Sequence, residues 1–570
     1  WETLGTVVGA VTAGFFLLKV LYPMQIVLLL CALHLGVCAF LDRKRAVTYL
    51  ILFCLCGPSA VLFAPSFERL LLQWRFPGYA ILENKNSPYG NLSVLQKQGE
   101  LSFLFNGKPF VNLPHYDPWI ELPMHLPLLM HPNPRKVLLI GSGLGGRIHE
   151  LLKHPVEEID YAELDPEIIN LFKRHPTSLT SQELDDPRIR LRNTDGRKWL
   201  MTSRDRYDVI LISLGFPSDL QTNRLYTLEA FQIVKDHLRD GGILSVELEG
   251  SSVYLGDELK GMFCTLISTL HGVFTYIKVV PGEMTLVMAS KRPLETPPEL
   301  LKERLKERRI RTHLLTPQMI HYLLSPEREG WFLEEVTHDC PPNRDLRPLL
   351  VYRTLSFEGA LYDPKLKAIL SGFEPFDRRA IWIIAATFLL AILSLLPRRR
   401  GVYIAIGVTG FYGMTGELIV IYMFQTAFGY VYLWIGLLLS AFMLGAVLGA
   451  FWWKEMRIKR GFAISEGAMA LFALLLGLIL RSGPPAGFYL LLSGILGGFA
   501  GWQFSWAAGI QEGGASRIGG TLYFSDLLGG LIGSMLSGVL LLPLWGIKDC
   551  LVLLGIMKGV SFLGLSLRRN

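Results

Sequence analysis

The chain has 570 residues, a formal net charge of +7 and 51% apolar residues. Its mean hydropathy of +0.35 excludes an ordinary soluble enzyme of this length. The positive charge is a weak argument for nucleic acid, because the basic clusters outside the central region lie in short loops between apolar runs. We therefore expect the lipid bilayer as a partner and no nucleic acid.

The apolar residues gather into runs of about 20 residues, the length that crosses a hydrocarbon core of roughly 30 Å. The first run has no basic lead-in and no small-residue cleavage site, so it predicts a membrane span and not a signal peptide. The chain begins at Trp1, and the sequence leaves open whether residues precede it. Membrane domains are expected at 1–64 (three helices) and 379–570 (seven helices). The predicted spans are 5–22, 25–41, 46–64, 379–396, 402–424, 430–452, 461–480, 485–507, 519–543 and 548–566.

The side of the membrane follows from Lys and Arg, which mark the cytoplasmic end of a span. Counting crossings puts every basic cluster on one side, at 42–45, 398–400, 454–460 and 568–569. This predicts a cytoplasmic C-terminus and an extracytoplasmic central region, 65–378. A miscounted span would reverse the predicted orientation of the segments on one side of it. Cys264 and Cys340 lie in that region and could pair in an oxidising compartment. One buried and one loop thiol is the simpler interpretation.

The predicted secondary-structure pattern changes along the central region. Residues 65–135 alternate short strands with turns, and Gln98-Gly99 and Asn106-Gly107 are hairpin signals, which predicts a small β cap. Residues 136–295 alternate strands with helices, which predicts a Rossmann-like, mainly parallel sheet covered on both faces. Seven strands are expected, the last two as an antiparallel hairpin, at 136–141, 157–163, 189–193, 207–213, 241–248, 273–281 and 284–290. Residues 296–378 follow as an α+β extension with a strand-like stretch at 349–356.

A nucleotide-binding pattern follows three of these strands. The first strand runs into a glycine loop, Gly141 to Gly146, and then a helix. The second strand ends at Glu163, about 20 residues on, where a carboxylate can accept from two ribose hydroxyls. Asp195 follows the third strand and could accept from an adenine amino group, which favours an adenosyl-sulfonium ligand over a dinucleotide. The predicted ligand-binding residues are Gly141, Gly143, Gly145, Glu163, Asp195 and Gly196. In the alternative, the glycines are packing turns and the acids solvated loop residues.

In order and spacing, residues 78–290 resemble the spermidine synthases, the polyamine aminopropyltransferases. The matching motifs are Ser87-Pro88-Tyr89, His125-Leu126-Pro127-Leu128, the glycine loop, Glu163-Leu164-Asp165-Pro166, Asp195-Gly196-Arg197, Tyr207-Asp208-Val209-Ile210 and Leu225-Tyr226-Thr227. The resemblance implies aminopropyl transfer from decarboxylated S-adenosylmethionine to a polyamine, with S-adenosylmethionine as an alternative ligand. No zinc-type or haem-attachment spacing occurs, so neither a metal nor haem is predicted.

Departures from this family concern the catalytic loop. The family carries two aspartates after the fourth strand, one of which helps to deprotonate the amine, and Ser213 and Phe216 hold those places here. Leu144 replaces an aspartate that holds the donor's amine. A positioned carboxylate contributes roughly 10²–10⁴-fold to such a proton transfer, so spermidine synthesis is not expected. The remaining catalytic candidates are Ser213, Asp219 and Tyr226.

The acceptor side of the predicted pocket is equally altered. Glu121 is the one survivor of a Tyr-His-Glu stretch, with Trp119 and Ile120 in the other places. Asn223 and Arg224 lie where the acceptor wall is expected. Arg224 favours an anionic or neutral partner over a polyamine; a surface ion pair with Glu229 is the alternative.

Polar residues also occur within the predicted spans. Glu417, Glu466 and Asp526 are candidates for functional sites, because ionisable groups are costly in a membrane. Interhelical hydrogen bonds are the alternative. The stretches 413–449 and 522–546 resemble the membrane part of bacterial proteins that fuse a spermidine-synthase-like domain to transporter-like helices. This resemblance implies a bacterial inner membrane.

Three functional hypotheses follow. The favoured one is a multi-pass α-helical membrane protein whose inserted α/β domain keeps the adenosyl pocket but has lost catalysis, as a binding or scaffold subunit with other membrane or extracytoplasmic subunits. The first alternative is a membrane-tethered transferase that moves an aminopropyl or a methyl group. The second is a transporter whose soluble domain is a sensor.

Overall fold

The computed structural model describes residues 23–336, 339–372, 401–429, 432–452, 461–479, 484–511 and 514–566, with scattered positions between 5 and 21. The predicted span at 379–396 and most of that at 5–22 lie outside the described residues. So do the basic clusters at 398–400, 454–460 and 568–569.

The N-terminal part of the central region forms a four-stranded antiparallel sheet with its strands in chain order. Both turns that the sequence marks as hairpins join neighbouring strands, and φ is positive at Gln98, Gly99, Asn106 and Gly107. Positive φ at two successive residues is the geometry of type I′ hairpin turns. The strands are β1 (Ala80–Asn86), β2 (Asn91–Lys97), β3 (Glu100–Phe105) and β4 (Lys108–Leu113).

The second sheet has seven strands in the order β10-β11-β9-β8-β5-β6-β7. Its strands are β5 (Lys136–Ile140), β6 (Glu158–Glu163), β7 (Ile189–Asn193), β8 (Tyr207–Ile212), β9 (Leu238–Glu249), β10 (Tyr276–Val280) and β11 (Met284–Ser290). The first five are parallel, whereas β10 and β11 form the antiparallel hairpin that the sequence predicts. Strand β8 is buried at every position, as expected for a parallel strand covered on both faces.

Helices cover both faces of this sheet and continue into the extension. The helices that come before β7 in the chain are α1 (Pro23–Leu41), α2 (Ala46–Leu62), α3 (Ala64–Arg75), α4 (Glu121–Met130), α5 (Arg147–Leu152), α6 (Pro166–Arg174) and α7 (Ser178–Asp185). Those after β7 are α8 (Gly196–Thr202), α9 (Leu220–Asn223), α10 (Leu228–His237), α11 (Asp257–His271), α12 (Pro298–Glu307), α13 (Pro317–Leu323), α14 (Pro326–Glu335), α15 (Leu349–Tyr362) and α16 (Pro364–Ser371).

Two expectations about this region are wrong. The strand-like stretch 349–356 is helical, as part of α15, which packs against α11. A short apolar run does not distinguish a strand from a buried helix, and the packing partner decides. Cys264 of α11 and Cys340 are joined by a disulfide, so they are not the two separate thiols that the sequence favoured.

The C-terminal residues form a bundle of six helices among those described. They are α17 (Gly401–Phe428), α18 (Tyr432–Trp452), α19 (Gly461–Ile479), α20 (Ala486–Ile510), α21 (Ala515–Leu536) and α22 (Ile547–Ser566), with π-helical turns at Ser537–Trp545. Helices α18 and α20 pack along each other, as do α17 with α21 and α19 with α22. A Cβ at Gly529 would lie 1.8 Å from the Gly407 carbonyl oxygen, so small residues allow these backbones to approach closely.

Five described segments are long and apolar enough to cross a bilayer by length and composition. They are Met24–Leu41, Gly401–Phe428, Trp434–Phe451, Gly461–Ile479 and Ser516–Trp545. Each overlaps a predicted span. The predicted spans at 46–64, 485–507 and 548–566 are also helical, but they are not among the five segments that meet this criterion of length and composition.

Candidate functional site

A crevice lies at the edge of the large sheet where β5, β6 and β7 have their carboxyl ends. Four of the six predicted ligand residues line the same pocket: Gly141, Glu163, Asp195 and Gly196. Leu214 from the loop after β8 and Leu225 from the loop after α9 close it on the other side. Its volume is about 70 Å³, well below the roughly 300–1,000 Å³ of pockets that enclose small molecules. A nucleotide would therefore have to displace side chains.

The glycine loop divides into a part at the crevice and a part used for packing. Gly141 has φ +78°, and a Cβ there would lie 2.2 Å from Leu214 Cδ2. A Cβ at Gly143 would lie 2.6 Å from the Tyr161 ring, and one at Gly145 would lie 2.4 Å from Val111 Cγ1. Gly143 and Gly145 do not line the pocket, so the alternative of packing turns describes these two positions.

The amides at the end of the glycine loop are occupied by a carboxylate from the same domain. Gly145 N–H and Gly146 N–H each donate to Glu183 at 2.8 Å, and His149 N–H donates at 3.1 Å. Burial raises the pKa of Glu183 to about 7, although these three hydrogen bonds act in the opposite sense. Glu183, on α7, carries no sequence signal that would identify it, since its partners are backbone groups about 35 residues away.

On the side of the crevice where the sequence predicts ribose binding, called the ribose side below, Glu163 is buried at the end of β6. Its Oε2 accepts from the Tyr161 hydroxyl at 2.6 Å, and its Oε1 accepts from the Asp165 N–H at 3.2 Å. Burial raises the pKa of Glu163. A carboxylate has lone pairs for more than one donor on each oxygen, so Glu163 can still accept from a diol.

On the side where the sequence predicts adenine binding, called the adenine side below, both oxygens of Asp195 already have partners. Oδ1 accepts from the Lys198 N–H at 2.8 Å and caps α8, while Oδ2 accepts from Arg224 Nη1 at 2.9 Å. Arg224 is 3% exposed, and burial lowers the pKa of its guanidinium, although Asp195 opposes the shift. The surface pair of Arg224 with Glu229 that the sequence allowed is wrong.

The guanidinium of Arg224 also reaches the helix bundle. Its Nε donates to the Thr426 carbonyl oxygen at 3.3 Å, near the end of α17. A Cβ at Gly429 would lie 2.8 Å from Arg224 Nη1. One side chain therefore connects the adenine side of the crevice to the end of a candidate membrane helix.

A second connection runs through the junction segment, residues 343–347. Arg197 Nη1 donates to Asp345 Oδ1 at 2.7 Å, and the Thr227 hydroxyl donates to the same oxygen at 2.7 Å. From the bundle, the Tyr422 hydroxyl donates to the Asp345 carbonyl at 2.6 Å. Arg347 Nε donates to the Leu544 carbonyl oxygen at 2.7 Å. The junction segment thus fixes the crevice against the bundle, although no motif in the sequence indicates a role for it.

The three catalytic candidates are all engaged in local structure. Ser213 is buried, and its N–H donates to the Ile140 carbonyl. Asp219 caps α9 by accepting from the Thr222 N–H at 2.7 Å. The Tyr226 hydroxyl donates to the Gly215 carbonyl at 2.7 Å, and burial raises the pKa of Tyr226. None of these contacts leaves a carboxylate directed at the crevice from the loop after β8.

Two of the predicted acceptor residues support distant segments. Glu121 is fully buried and accepts from the backbone N–H groups of His313, Leu314 and Leu315 at 2.6–2.9 Å. Asn223 accepts from the Asn343 side-chain amide at 2.9 Å. Both residues hold the extension and the junction segment against the sheet, so the expected open acceptor wall is not formed by them.

A carboxylate that the sequence did not indicate lies on β9 at the same edge of the sheet. Glu247 is 5% exposed, and its Oε2 accepts from Arg147 Nη1 at 2.6 Å. The charge of Glu247 adds to the rise in the pKa of Tyr226. Alternation along the strand could have indicated it, since an acid in an otherwise apolar strand is unusual.

The comparisons with known proteins agree with this arrangement. The spermine/spermidine synthase domain matches residues 118–284. A polyamine aminopropyltransferase of Korarchaeum cryptofilum is 32% identical over 251 residues, which cover 42% of this chain and 75% of that protein. The chain belongs to the spermidine synthase family.

Other family members match a shorter part of their length. The polyamine aminopropyltransferase of Methanocaldococcus jannaschii is 34% identical over 196 residues, 33% of this chain and 66% of that protein. Those of two Thermoanaerobacter strains are 32% identical, and the match spans 63% of their length. The solved spermidine synthase of Thermotoga maritima aligns at 24% identity with a TM-score of 0.38, over 45% of this chain and 87% of that chain.

The predicted intramembrane acids lie in three different places. Both carboxylate oxygens of Glu417 lie within 2.8 Å of the Ser493 hydroxyl. Glu466 Oε2 lies 3.2 Å from Lys558 Nζ, and both side chains are fully buried. Asp526 lines a separate cavity in the bundle. Lys558 was not among the predicted residues, although a lysine within an apolar run is the same kind of signal.

Proposed function

We propose that the α/β domain is an adenosyl-sulfonium binding unit that is anchored to a membrane by the helix bundle and does not catalyse spermidine synthesis. Its ligand is decarboxylated S-adenosylmethionine or S-adenosylmethionine. Family membership supports this proposal, as does the common pocket of Gly141, Glu163 and Asp195.

One observation carries the proposal: Arg224 bridges Asp195 and the Thr426 carbonyl of the bundle. A ligand whose adenine amino group binds Asp195 must compete with a buried, charge-assisted hydrogen bond. Removal of Arg224 from Asp195 would in turn change its contact with α17. Ligand binding and the position of the end of α17 are therefore coupled, which is the property expected of a binding subunit in a membrane assembly.

Loss of catalysis is inferred from the loop after β8. Deprotonation of an attacking amine needs a base within hydrogen-bond reach. Ser213 and Phe216 stand where the family has its aspartates, and Asp219 is held as a helix cap.

The test uses the full chain in lipid nanodiscs and measures equilibrium binding of decarboxylated S-adenosylmethionine, S-adenosylmethionine and methylthioadenosine. Glu163→Gln should weaken binding roughly tenfold, because a charged hydrogen-bond acceptor for the ribose is lost. Arg224→Met should strengthen binding by roughly the same factor, because Asp195 is released. Arg190→Met is the matched control, since Arg190 pairs with Glu158 at the surface. Absence of binding to the wild type and to Arg224→Met would refute the proposal.

Aminopropyl transfer is the second candidate, and Glu247 favours it. This buried carboxylate at the same edge could act as the base if Arg147 released it. Incubation with decarboxylated S-adenosylmethionine and putrescine would then yield methylthioadenosine, and Glu247→Gln would abolish the product. We expect no product above the background, and formation of methylthioadenosine would replace the binding proposal with the transferase.

We further propose a bacterial inner membrane location with the α/β domain on the extracytoplasmic side. The five candidate spans, the distribution of Lys and Arg, and the Cys264–Cys340 disulfide support it. In spheroplasts, a membrane-impermeant maleimide should label Val253→Cys in the domain and leave Lys44→Cys unlabelled. Both positions are exposed. The reverse pattern would place the domain in the cytoplasm.

A further inference from the structure

A cavity of about 460 Å³ lies within the helix bundle, distant in sequence from the crevice. It falls in the range of pockets that enclose small molecules, roughly 300–1,000 Å³. Helices α17, α18, α20 and α21 all contribute to its wall. Among the lining residues are Gly410, Phe442, Ala500, Phe504, Tyr523 and Asp526. Its surface is mainly apolar, with aromatic rings and one carboxylate.

The carboxylate of Asp526 has no partner among the described residues. No hydrogen bond or ion pair within that part of the chain reaches it, and a Cβ at Gly410 would lie 3.0 Å from its Oδ1. The absence of a side chain at Gly410 leaves the carboxylate facing the cavity. An ionisable group in an apolar helix is costly, so an unpaired one indicates a binding function.

The neighbouring Lys558 is shared between two carboxylates, because its positive charge acts on both Glu466 and Asp526. Lys558 lies 3.2 Å from Glu466, and its Nζ donates to the Thr409 hydroxyl at 2.7 Å. Thr409 also lines the cavity. Because Lys558 and Glu466 compensate each other, the three charged side chains Asp526, Glu466 and Lys558 sum to one negative charge beside the cavity.

We infer that this cavity binds an organic monocation, a primary ammonium with an apolar or aromatic body. The carboxylate supplies the counter-charge, and the rings of Phe442, Phe504 and Tyr523 offer faces that attract cations. A bare metal ion would find one carboxylate in a mostly apolar wall, which does not replace its hydration shell. A diamine would bury a second ammonium group without a counter-charge.

The test uses the full chain in zwitterionic nanodiscs and radiolabelled phenethylamine as the probe. Phenethylamine should bind at least roughly tenfold more tightly than its neutral analogue 2-phenylethanol, its anionic analogue phenylacetate, and putrescine, as measured by competition. This comparison needs no variant, so it does not depend on the folding of a mutant.

Two variants test the location of the site. Asp526→Asn should weaken phenethylamine binding by roughly tenfold or more, and Ala500→Leu should weaken it by filling the cavity. Glu417→Gln is the matched control, because Glu417 is an acid of the same bundle that binds Ser493 and does not line the cavity. Equal binding of 2-phenylethanol, tighter binding of putrescine, or unchanged affinity in Asp526→Asn would each overturn the inference.

Discussion

The ribose side of the crevice is formed by neighbouring strands of one sheet, whereas its adenine side depends on segments far apart in the chain. Glu163 binds Tyr161, two residues away on the same strand. Asp195 binds Arg224, which is 29 residues away, and Arg224 binds Thr426, which is a further 202 residues away. The first side is therefore a property of the sheet. The second side is a property of the domain and the bundle together.

This difference suggests where the chain departs from the other members of its family. A strand–loop–helix unit can retain a nucleotide crevice without reference to the rest of the protein. The adenine side, by contrast, is tied to helices that lie outside the matched region, residues 118–284. A ligand that displaced Arg224 from Asp195 would change the contact with the bundle, whereas a ligand that bound only Glu163 would not.

The largest expected effect comes from breaking the junction segment. Asp345→Ala removes one partner of the buried pair with Arg197 and leaves the guanidinium uncompensated, which costs roughly 3–5 kcal/mol. The thermal unfolding midpoint of the full chain in detergent measures the loss. As control, Arg190→Ala breaks the surface pair of Arg190 with Glu158, which is worth less than about 1 kcal/mol, and leaves Glu158 paired with Lys136. Equal losses in the two variants would mean that the junction segment does not hold the adenine side.

These two sides also differ in how well the sequence predicted them. Gly141, Glu163 and Asp195 could be predicted because each lies at or just after the end of a strand, and parallel strands bring their carboxyl ends to one edge. The partner of Arg224 could not be predicted, because Glu229 instead accepts from the Asp345 N–H at 2.9 Å. That contact depends on the path of the junction segment, about which local sequence contains no information.

The roles of individual glycines were only partly predictable for a similar reason. A glycine loop after a strand indicates that another group lies close to its backbone, but it does not indicate whether that group is a ligand or a side chain. At Gly143 the neighbour is the ring of Tyr161, and at Gly145 it is Val111 of the cap. Both neighbours belong to other strands, so only the packed structure separates a ligand contact from a core contact.

An intermediate effect is expected on the ribose side, where the sheet alone sets the geometry. Gly141→Ala combines a positive φ with a Cβ placed 2.2 Å from Leu214, and should cost roughly 2–3 kcal/mol. Gly99→Ala is the matched control, because φ is +89° there and no atom lies within 4 Å. It should cost roughly 1 kcal/mol, for strain alone. The thermal unfolding midpoints of Gly141→Ala and Gly99→Ala measure the two losses of stability. Similar losses would show that the Leu214 side chain moves aside at no cost in stability.

The smallest expected effect tests a chain of hydrogen bonds from the extension to α5, the helix after the glycine loop, in which no residue of the bundle takes part. Arg308 donates to His154 Nδ1 at 3.3 Å, so His154 Nε2–H donates to His125 Nδ1 at 2.8 Å. His125 Nε2–H then donates to Glu150 at 2.8 Å. Burial raises the pKa of Glu150, but the hydrogen bonds from His125, Lys153 and Tyr116 outweigh burial and bring the pKa down to about 2. Glu150 is therefore ionised throughout the pH range below.

His154 is the member of this chain that makes stability depend on pH. Burial, together with the positive charges of Arg308 and Lys153, holds the pKa of His154 well below 6.5. The unfolded chain then binds a proton that the folded chain excludes, so this contribution to stability is complete above pH 6.5 and is lost as the pH falls. Between pH 6.5 and 5.5 the loss is about 1 kcal/mol. His154→Gln should remove this part of the slope, whereas His115→Gln, at an exposed position, should retain it. Because both residues belong to the domain, an unchanged slope in His154→Gln would show that His154 takes up its proton without unfolding of the domain.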